Sequence, residues 1–314
     1  MNNRIVKIAV TIALTAALIV PIWLWMRPSS PEKPPVSAIN GETAVRGSLT
    51  VAVDRSLLPV AELQSRIFTD HYPQTAVRLT SESAPSPVMR LLRREVGGAI
   101  IEGALSRQED SLLVAKNIPL KRQPIAHNAL VLVVNRANQV RKVSIDELKG
   151  IFSGKVTDWK SLGGSPGPIV ACLDGSDLRA RMVLDGILFD RPGQLKATAE
   201  SDEAKLLARV RNDEHIAAIM TLPAYARALR SGVNGSGIRA VPVSATGGGD
   251  PVSASPETVY TGKYPLFTIV YYLYTPFDAL ATGFGAWLAK EGQKFFERGD
   301  MAPYEQPVRT INLK

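Results

Sequence analysis

Apolar residues follow two patterns along this chain. Ser48–Val53 (SLTVAV), Gly98–Ile101, Ala129–Val134 (ALVLVV), Ile169–Leu173 (IVACL), Ile216–Met220 and Phe267–Tyr274 (FTIVYYLY) are short, nearly continuous apolar runs. They predict buried strands. Thr75–Thr80 (TAVRLT) alternates, as a half-buried strand does. Between them apolar residues recur at helical spacing: Val60, Leu63, Ile67 and Phe68 after Pro59; Val88, Met89, Leu91 and Leu92; Ile145, Leu148, Ile151 and Phe152. Further helices are predicted at Met182, Val183, Ile187, Leu188 and Phe189, at 202–210, and at 284–296 with Trp287, Leu288 and Phe295. The leading order βαβαβ predicts parallel strands with right-handed crossovers, and such sheets bind ligands beyond the carboxyl ends of their strands. Ser56, Ser81 and Ser83 fall at such ends.

The stretch Ser144–Arg181 carries the sharpest local signals. Ser144 and Glu147 form a capping box before an apolar helix face, and Gly150 and Gly154 mark the helix end. The Ile169–Leu173 strand runs through Asp174-Gly175-Ser176-Asp177 into the next helix. Strand, short turn and helix N-terminus form an arrangement that binds anions, because the first helical amides lack internal partners and carry partial positive charge. The same residues also serve an ordinary helix cap.

Two further features change the picture. The run Ile8–Met26 has no charge, follows Arg4 and Lys7, and ends near Trp23 and Trp25. It predicts an uncleaved transmembrane signal-anchor over 1–27 with the rest of the chain outside; a signal peptide cleaved near Ala38 is the rival. Residues 28–45, rich in Pro, Ser and charge, predict an extended tether. The net charge of +8 suits an anionic ligand or surface, and aromatic residues do not interleave with basic ones, which argues against nucleic acid. One cysteine, Cys172, and three scattered histidines supply neither a disulfide nor a metal-ligand spacing, so no cofactor or metal is expected.

Several phrases resemble a known family. SIDELKGIFSGKVTDWKSLGG (144–164) is similar to the "I-F-x-G-K-I-T-x-W" phrase of the phosphate-binding substrate proteins of bacterial phosphate ABC transporters. FTDHYP (68–73), NALVLVVN (128–135), the GKYPL segment (262–266) and Gly292-Gln293 resemble further family phrases in the same order. The resemblance implies an α/β, two-lobed type II periplasmic binding protein fold, each lobe a sheet flanked by helices. It places lobe I at 46–125 plus 264–314 and lobe II at 126–263. It implies an extracytoplasmic binding protein, not an enzyme, that captures an inorganic anion, phosphate first, for an ABC transporter permease or a sensor in the membrane.

The implied ligand residues are Arg55, Ser56 and Leu57 in the first loop, Ser81 and Ser83 in the second, and Ser176, Asp177, Leu178 and Arg179 in the anion loop. In the family a carboxylate also accepts the ligand's P–OH proton; it belongs near Ala99–Glu102, where Glu102 is the acid. This chain departs from the family's R-x-x-G-S-G-T-R loop. Cys172 stands at the first arginine, Asp177 at the glycine and Leu178 at the threonine. Losing an arginine removes a charge-assisted donor, and adding a carboxylate opposes an anion. A second reading therefore stands beside the first: a ligand-free, repurposed domain acting as a structural or regulatory partner at the membrane's outer face.

Overall fold

The Ser48 run becomes β1 (Gly47–Val53) in the computed structural model, which describes residues 42–81, 86–232 and 237–306. The expected anchor, most of the tether, and Ser83 lie outside those residues. No helix among the described residues is long and apolar enough to cross a membrane.

The chain continues through α1 (Leu58–His71), β2 (Thr75–Thr80), α2 (Pro87–Leu92) and β3 (Gly98–Glu102). Strands β2 and β3 flank β1 and run parallel to it, as the βαβαβ pattern predicts. A helix not foreseen, α3 (Arg107–Ala115), opens with a complete capping box made by Ser106 and Glu109. Next comes the 15-residue β4 (Lys121–Asn135), far longer than the apolar run Ala129–Val134 at its end. Its polar first half carries no apolar run to mark it as strand.

Beyond β4 lie β5 (Val143–Ser144), α4 (Ile145–Ser153), β6 (Val170–Asp174), α5 (Leu178–Leu188), β7 (Thr198–Glu200), α6 (Glu203–Asn212), β8 (Ile216–Thr221) and α7 (Leu222–Arg230). The chain then forms β9 (Ile238–Ala240), β10 (Val243–Ser244), α8 (Pro256–Tyr260), β11 (Phe267–Tyr274), α9 (Ala279–Ala289), α10 (Gln293–Phe296) and β12 (Ala302–Pro303).

The fold is two-lobed, but the lobes do not own separate sheets. One path runs β2-β1-β3-β11-β4-β8-β6-β7. Strand β4 belongs to both ends: Lys121–Ala129 pair with β11, and Leu130–Val133 pair with β8. The apolar packing divides at the same place. Ile125 and Ala126 join the core around Phe68, Tyr272 and Phe284, whereas Ala129–Val134 join the core around Phe152, Trp159 and Leu206. Tyr272 and Tyr274 are core residues, as their strand positions suggest.

The helix expected over 284–296 is broken. Helix α9 stops at Ala289 and α10 starts at Gln293. The carbonyl of Gly292 accepts from Gln64 Nε2 at 2.9 Å, and Gln293 Nε2 donates to Ile125 O at 2.8 Å. These bonds tie the break to α1 and β4 and replace helical hydrogen bonds.

The Ser144 box forms as read. Glu147 N donates to Ser144 Oγ at 3.2 Å, and Ser144 N donates to Glu147 Oε2 at 2.7 Å. Gly154 closes the helix at φ 74°, a conformation that costs glycine no steric penalty. Ser144→Ala is expected to cost about 1 kcal/mol, read as a lower urea midpoint with an unchanged m-value. An unmoved midpoint would show that the box contributes nothing.

Candidate functional site

A cavity of about 290 Å³ opens beside the turn from β6 to α5. Arg55 and Ser56, which follow β1, meet Ser176 and Asp177 there, so its wall draws on both ends of the sheet. The far wall holds the starts of α6 and α7, at Asp202 and Thr221, and Leu206, Ile219 and Met220 give it an apolar floor. Three helix N-termini therefore converge on one space.

The expected anion loop is largely satisfied by its own side chains. Asp174 Oδ1 accepts from both Ser176 N (2.8 Å) and Ser176 Oγ (2.7 Å). Asp177 is the N-cap of α5 and accepts from Ala180 N at 3.0 Å. Asp202 caps α6 in the same manner, accepting from Lys205 N at 2.8 Å. Helix α7 differs. Thr221 stands at its N-cap but its side chain caps no amide, and Pro223 follows within the first turn. Thr221 is 4% exposed, and its hydroxyl has no protein partner. The buried Ser56 hydroxyl is in the same condition; it lies close enough to Asp177 to favour that carboxylate's ionised form without a hydrogen bond of ordinary geometry.

The residues expected from sequence separate into groups. Arg55 is exposed at the cavity mouth, and Ser56, Ser176 and Asp177 line the cavity. Leu57 is 2% exposed and packs in the core with Val60 and Phe68. Leu178 opens α5 with its side chain 53% exposed, outside the cavity lining. Ser81 follows β2, and its hydroxyl is enclosed without a partner, away from the cavity lining.

Arg179 faces the other way. It is 8% exposed and directs its whole guanidinium fork at the β3 end of the molecule. Nε donates to Glu102 O (2.8 Å), Nη2 to Ala104 O (2.7 Å), and Nη1 to both Glu109 oxygens (3.1 and 3.0 Å). Asp54 Oδ2 lies 4.0 Å from Nε. The arginine thus bolts α5 to the β3–α3 connection. Gly103 permits the close approach: it sits at φ 73°, and a Cβ there would lie 2.7 Å from Val183.

Besides Glu109, three more buried acids lie around this bolt. Asp54 accepts from Glu102 N at 2.8 Å; burial raises its pKa to about 7, against the opposing pull of Arg179. Glu102 is fully buried, and burial, reinforced by Asp177 and Asp54, raises its pKa to about 8. Asp177 is raised as well, chiefly by burial. Glu102 Oε1 accepts from Asn128 Nδ2 (2.9 Å) and Thr268 Oγ1 (2.7 Å), and Oε2 has no partner. Glu102 lies behind the cavity wall and is not part of its lining.

Sequence reasoning missed Thr221, Glu109 and the buried role of Asp54. The first two left signals: Thr-Leu-Pro after a strand is an N-cap with proline in the first turn, and Ser106-x-x-Glu109 is a capping box. Nothing local marks Asp54, whose burial follows from the packing of three strand ends.

A two-lobed α/β scaffold with a cavity between strand ends and helix N-termini is the architecture of a binding protein. The PBP superfamily domain family matches residues 38–291, and the chain belongs to that family. Among its relatives, the phosphate-binding protein PstS of Bacillus subtilis (strain 168) is 26% identical over 157 residues, 47% of this chain and 49% of the relative. The phosphate-binding protein PstS 2 of Streptococcus agalactiae is 28% identical over 116 residues, 37% of this chain and 38% of the relative. The chain thus matches half or less of the length of these curated relatives. In three dimensions it is similar to an ABC-type phosphate transport receptor from Vibrio cholerae, with a TM-score of 0.65, 17% identity, and coverage of 81% of this chain and 99% of the other. PstS from Borrelia burgdorferi gives a TM-score of 0.57, 15% identity, and coverage of 83% and 100%.

Proposed function

We propose that this chain is an extracytoplasmic solute-binding protein that takes a small oxyanion, inorganic phosphate first, into the cavity beside α5 and delivers it to a membrane transporter. The observation that carries this reading is the cavity itself. Residues from both ends of the sheet meet across it, Arg55 and Ser56 on one side and Ser176, Asp177 and Thr221 on the other. Hydroxyl and amide donors with an arginine nearby are what oxyanion capture requires. The phosphate-binding names of its relatives support the same ligand. Tethering through Ile8–Met26 belongs to this reading and rests on the charge pattern around that run.

Asp177 and Arg179 favour a second reading. A carboxylate caps the helix start where the family loop has glycine, and the loop arginine is consumed internally. A helix start capped by its own carboxylate and a loop arginine consumed within the fold suit a repurposed, partner-binding domain. Calorimetric titration of the purified full chain with inorganic phosphate, with sulfate as control, separates the two. Saturable heat with phosphate that sulfate does not match is expected. No heat and no thermal stabilisation by either anion would overturn the first reading.

A further inference from the structure

An anion entering the cavity meets a carboxylate in its wall. Asp177 lines the cavity but is only 6% exposed, so little water screens its charge. Ala180 N donates to its Oδ1 at 3.0 Å, which fixes the carboxyl at the head of the eleven-residue α5. Acids face it from three directions. Asp174 lies on the same turn, and Asp54 and Glu102 approach from the ends of β1 and β3. The cation two residues on does not answer them at the cavity. Arg179 spends its guanidinium on Glu102 O, Ala104 O and both oxygens of Glu109 on α3.

The remaining charges stand around the rim. Arg181, on α5, donates Nη2 to Leu195 O at 3.2 Å, and Arg55 is exposed at the mouth. Across the cavity, Asp202 and Glu203 open α6, and Glu203 is paired with Arg227. The two rim arginines attract an anion, while Asp177 opposes it at closer quarters. Two negative charges sharing one enclosed space do not both stay ionised, and the one that gives way takes a proton. Asp177 is placed to be that group. Burial raises its pKa, against the hydrogen bond from Ala180 N, and Asp174 adds to the rise. The protonated form keeps the helix cap, because its carbonyl oxygen still accepts from Ala180 N.

We infer that the cavity takes up its anion together with a proton, carried by Asp177, and that this carboxyl makes capture depend on pH. This rests on the solute-binding reading and adds the control built into that site. By reciprocity, the factor by which a bound anion tightens Asp177's hold on its proton is the factor by which that proton tightens binding of the anion.

The test is calorimetric titration of the full chain with inorganic phosphate at pH 5, 7 and 8, in the parent and in Asp177→Asn. Asparagine caps helices as well as aspartate does and carries no charge, so the variant is expected to fold with undiminished thermal stability. It stands in for the protonated carboxyl at every pH. Comparing the two proteins at one pH holds the charge state of free phosphate common to both. The variant is expected to bind about tenfold or more tighter than the parent at pH 8, the size of an ordinary coupling between two sites, with the advantage narrowing toward parity at pH 5. Titration at pH 7 in two buffers of different ionisation enthalpy counts protons, and the parent is expected to take up more of them per anion than the variant. An advantage that stays the same at pH 5 and pH 8, equal affinities throughout, or equal proton counts would overturn the inference and leave the solute-binding reading standing. A variant weaker than the parent would also overturn it, and would make Asp177 an acceptor for a proton on the ligand. No heat from either protein at any pH would overturn both readings.

Discussion

Arg179→Met is expected to destabilise the protein by about 3–5 kcal/mol, because it strands buried acids that the guanidinium now compensates. Glu109 would lose its bidentate partner, the carbonyls of Glu102 and Ala104 would lose donors, and Asp54 would lose a cation that opposes its desolvation. Methionine is chosen because it fills much of the same volume, so the effect reads charge and hydrogen bonding, not a cavity. The loss is expected to grow as pH rises past 7, where the parent's Asp54 ionises with the guanidinium's help, whereas without it burial holds that carboxyl's pKa higher and the variant keeps losing stability further up. For a domain of this size the melting temperature should fall by about 10 °C. Urea unfolding of the full chain at pH 6 and pH 8 checks both statements. If stability changed by less than about 1 kcal/mol while phosphate binding was lost, Arg179 would be a ligand residue and not a bolt, since exposed pairs contribute at that lower level.

How much of this was legible from the sequence depends on the range of the interactions. Strands β1, β2 and β11 and the cap of α4 rest on local patterns, and they stand within a residue or so of where the apolar runs and the Ser144 box put them. The shared sheet was not legible, because the polar residues Lys121–Gln123 enter a strand only through pairing with β11, whose residues lie some 150 positions on. At the site, the resemblance pointed to the α5 turn, whose Ser176 and Asp177 line the cavity, but not to the direction of its arginine. A motif fixes which residue follows the turn. Whether that side chain faces the cavity or the β3–α3 connection depends on Glu109 and on the room left by Gly103, and both are distant in sequence. Thr221 was missed for a related reason. A strand-ending threonine is ordinary until its hydroxyl is found enclosed and unpaired.

Glu102→Gln is expected to stabilise the protein, and by an amount that grows with pH. The unfolded chain ionises this carboxyl near its ordinary value of 4.5, whereas the folded protein keeps the proton up to about 8. Between those values folding takes up a proton, so the parent loses stability as pH rises from 4.5 to 8 and levels off above. A tenfold difference in proton affinity between the folded and unfolded chains corresponds to about 1.4 kcal/mol, so the full effect is on the order of 4 kcal/mol at pH 8. Glutamine removes that penalty while keeping the shape. Its oxygen can accept from Asn128 and Thr268 as Glu102 Oε1 does, and its amide replaces the partnerless Oε2. Urea unfolding should find the two proteins nearly equal in stability at pH 5, and the variant more stable by on the order of 4 kcal/mol at pH 8. Asp54 and Asp177 are common to both proteins, so the difference reads Glu102 together with its coupling to those two acids. Parallel pH profiles would mean that Glu102 ionises normally, and that Asn128, Thr268 and the nearby amides solvate its charge. Profiles that meet at low pH and part as pH rises would make it a neutral strut behind the cavity wall, a role distinct from the proton-accepting carboxylate that the family resemblance implies for that stretch of chain.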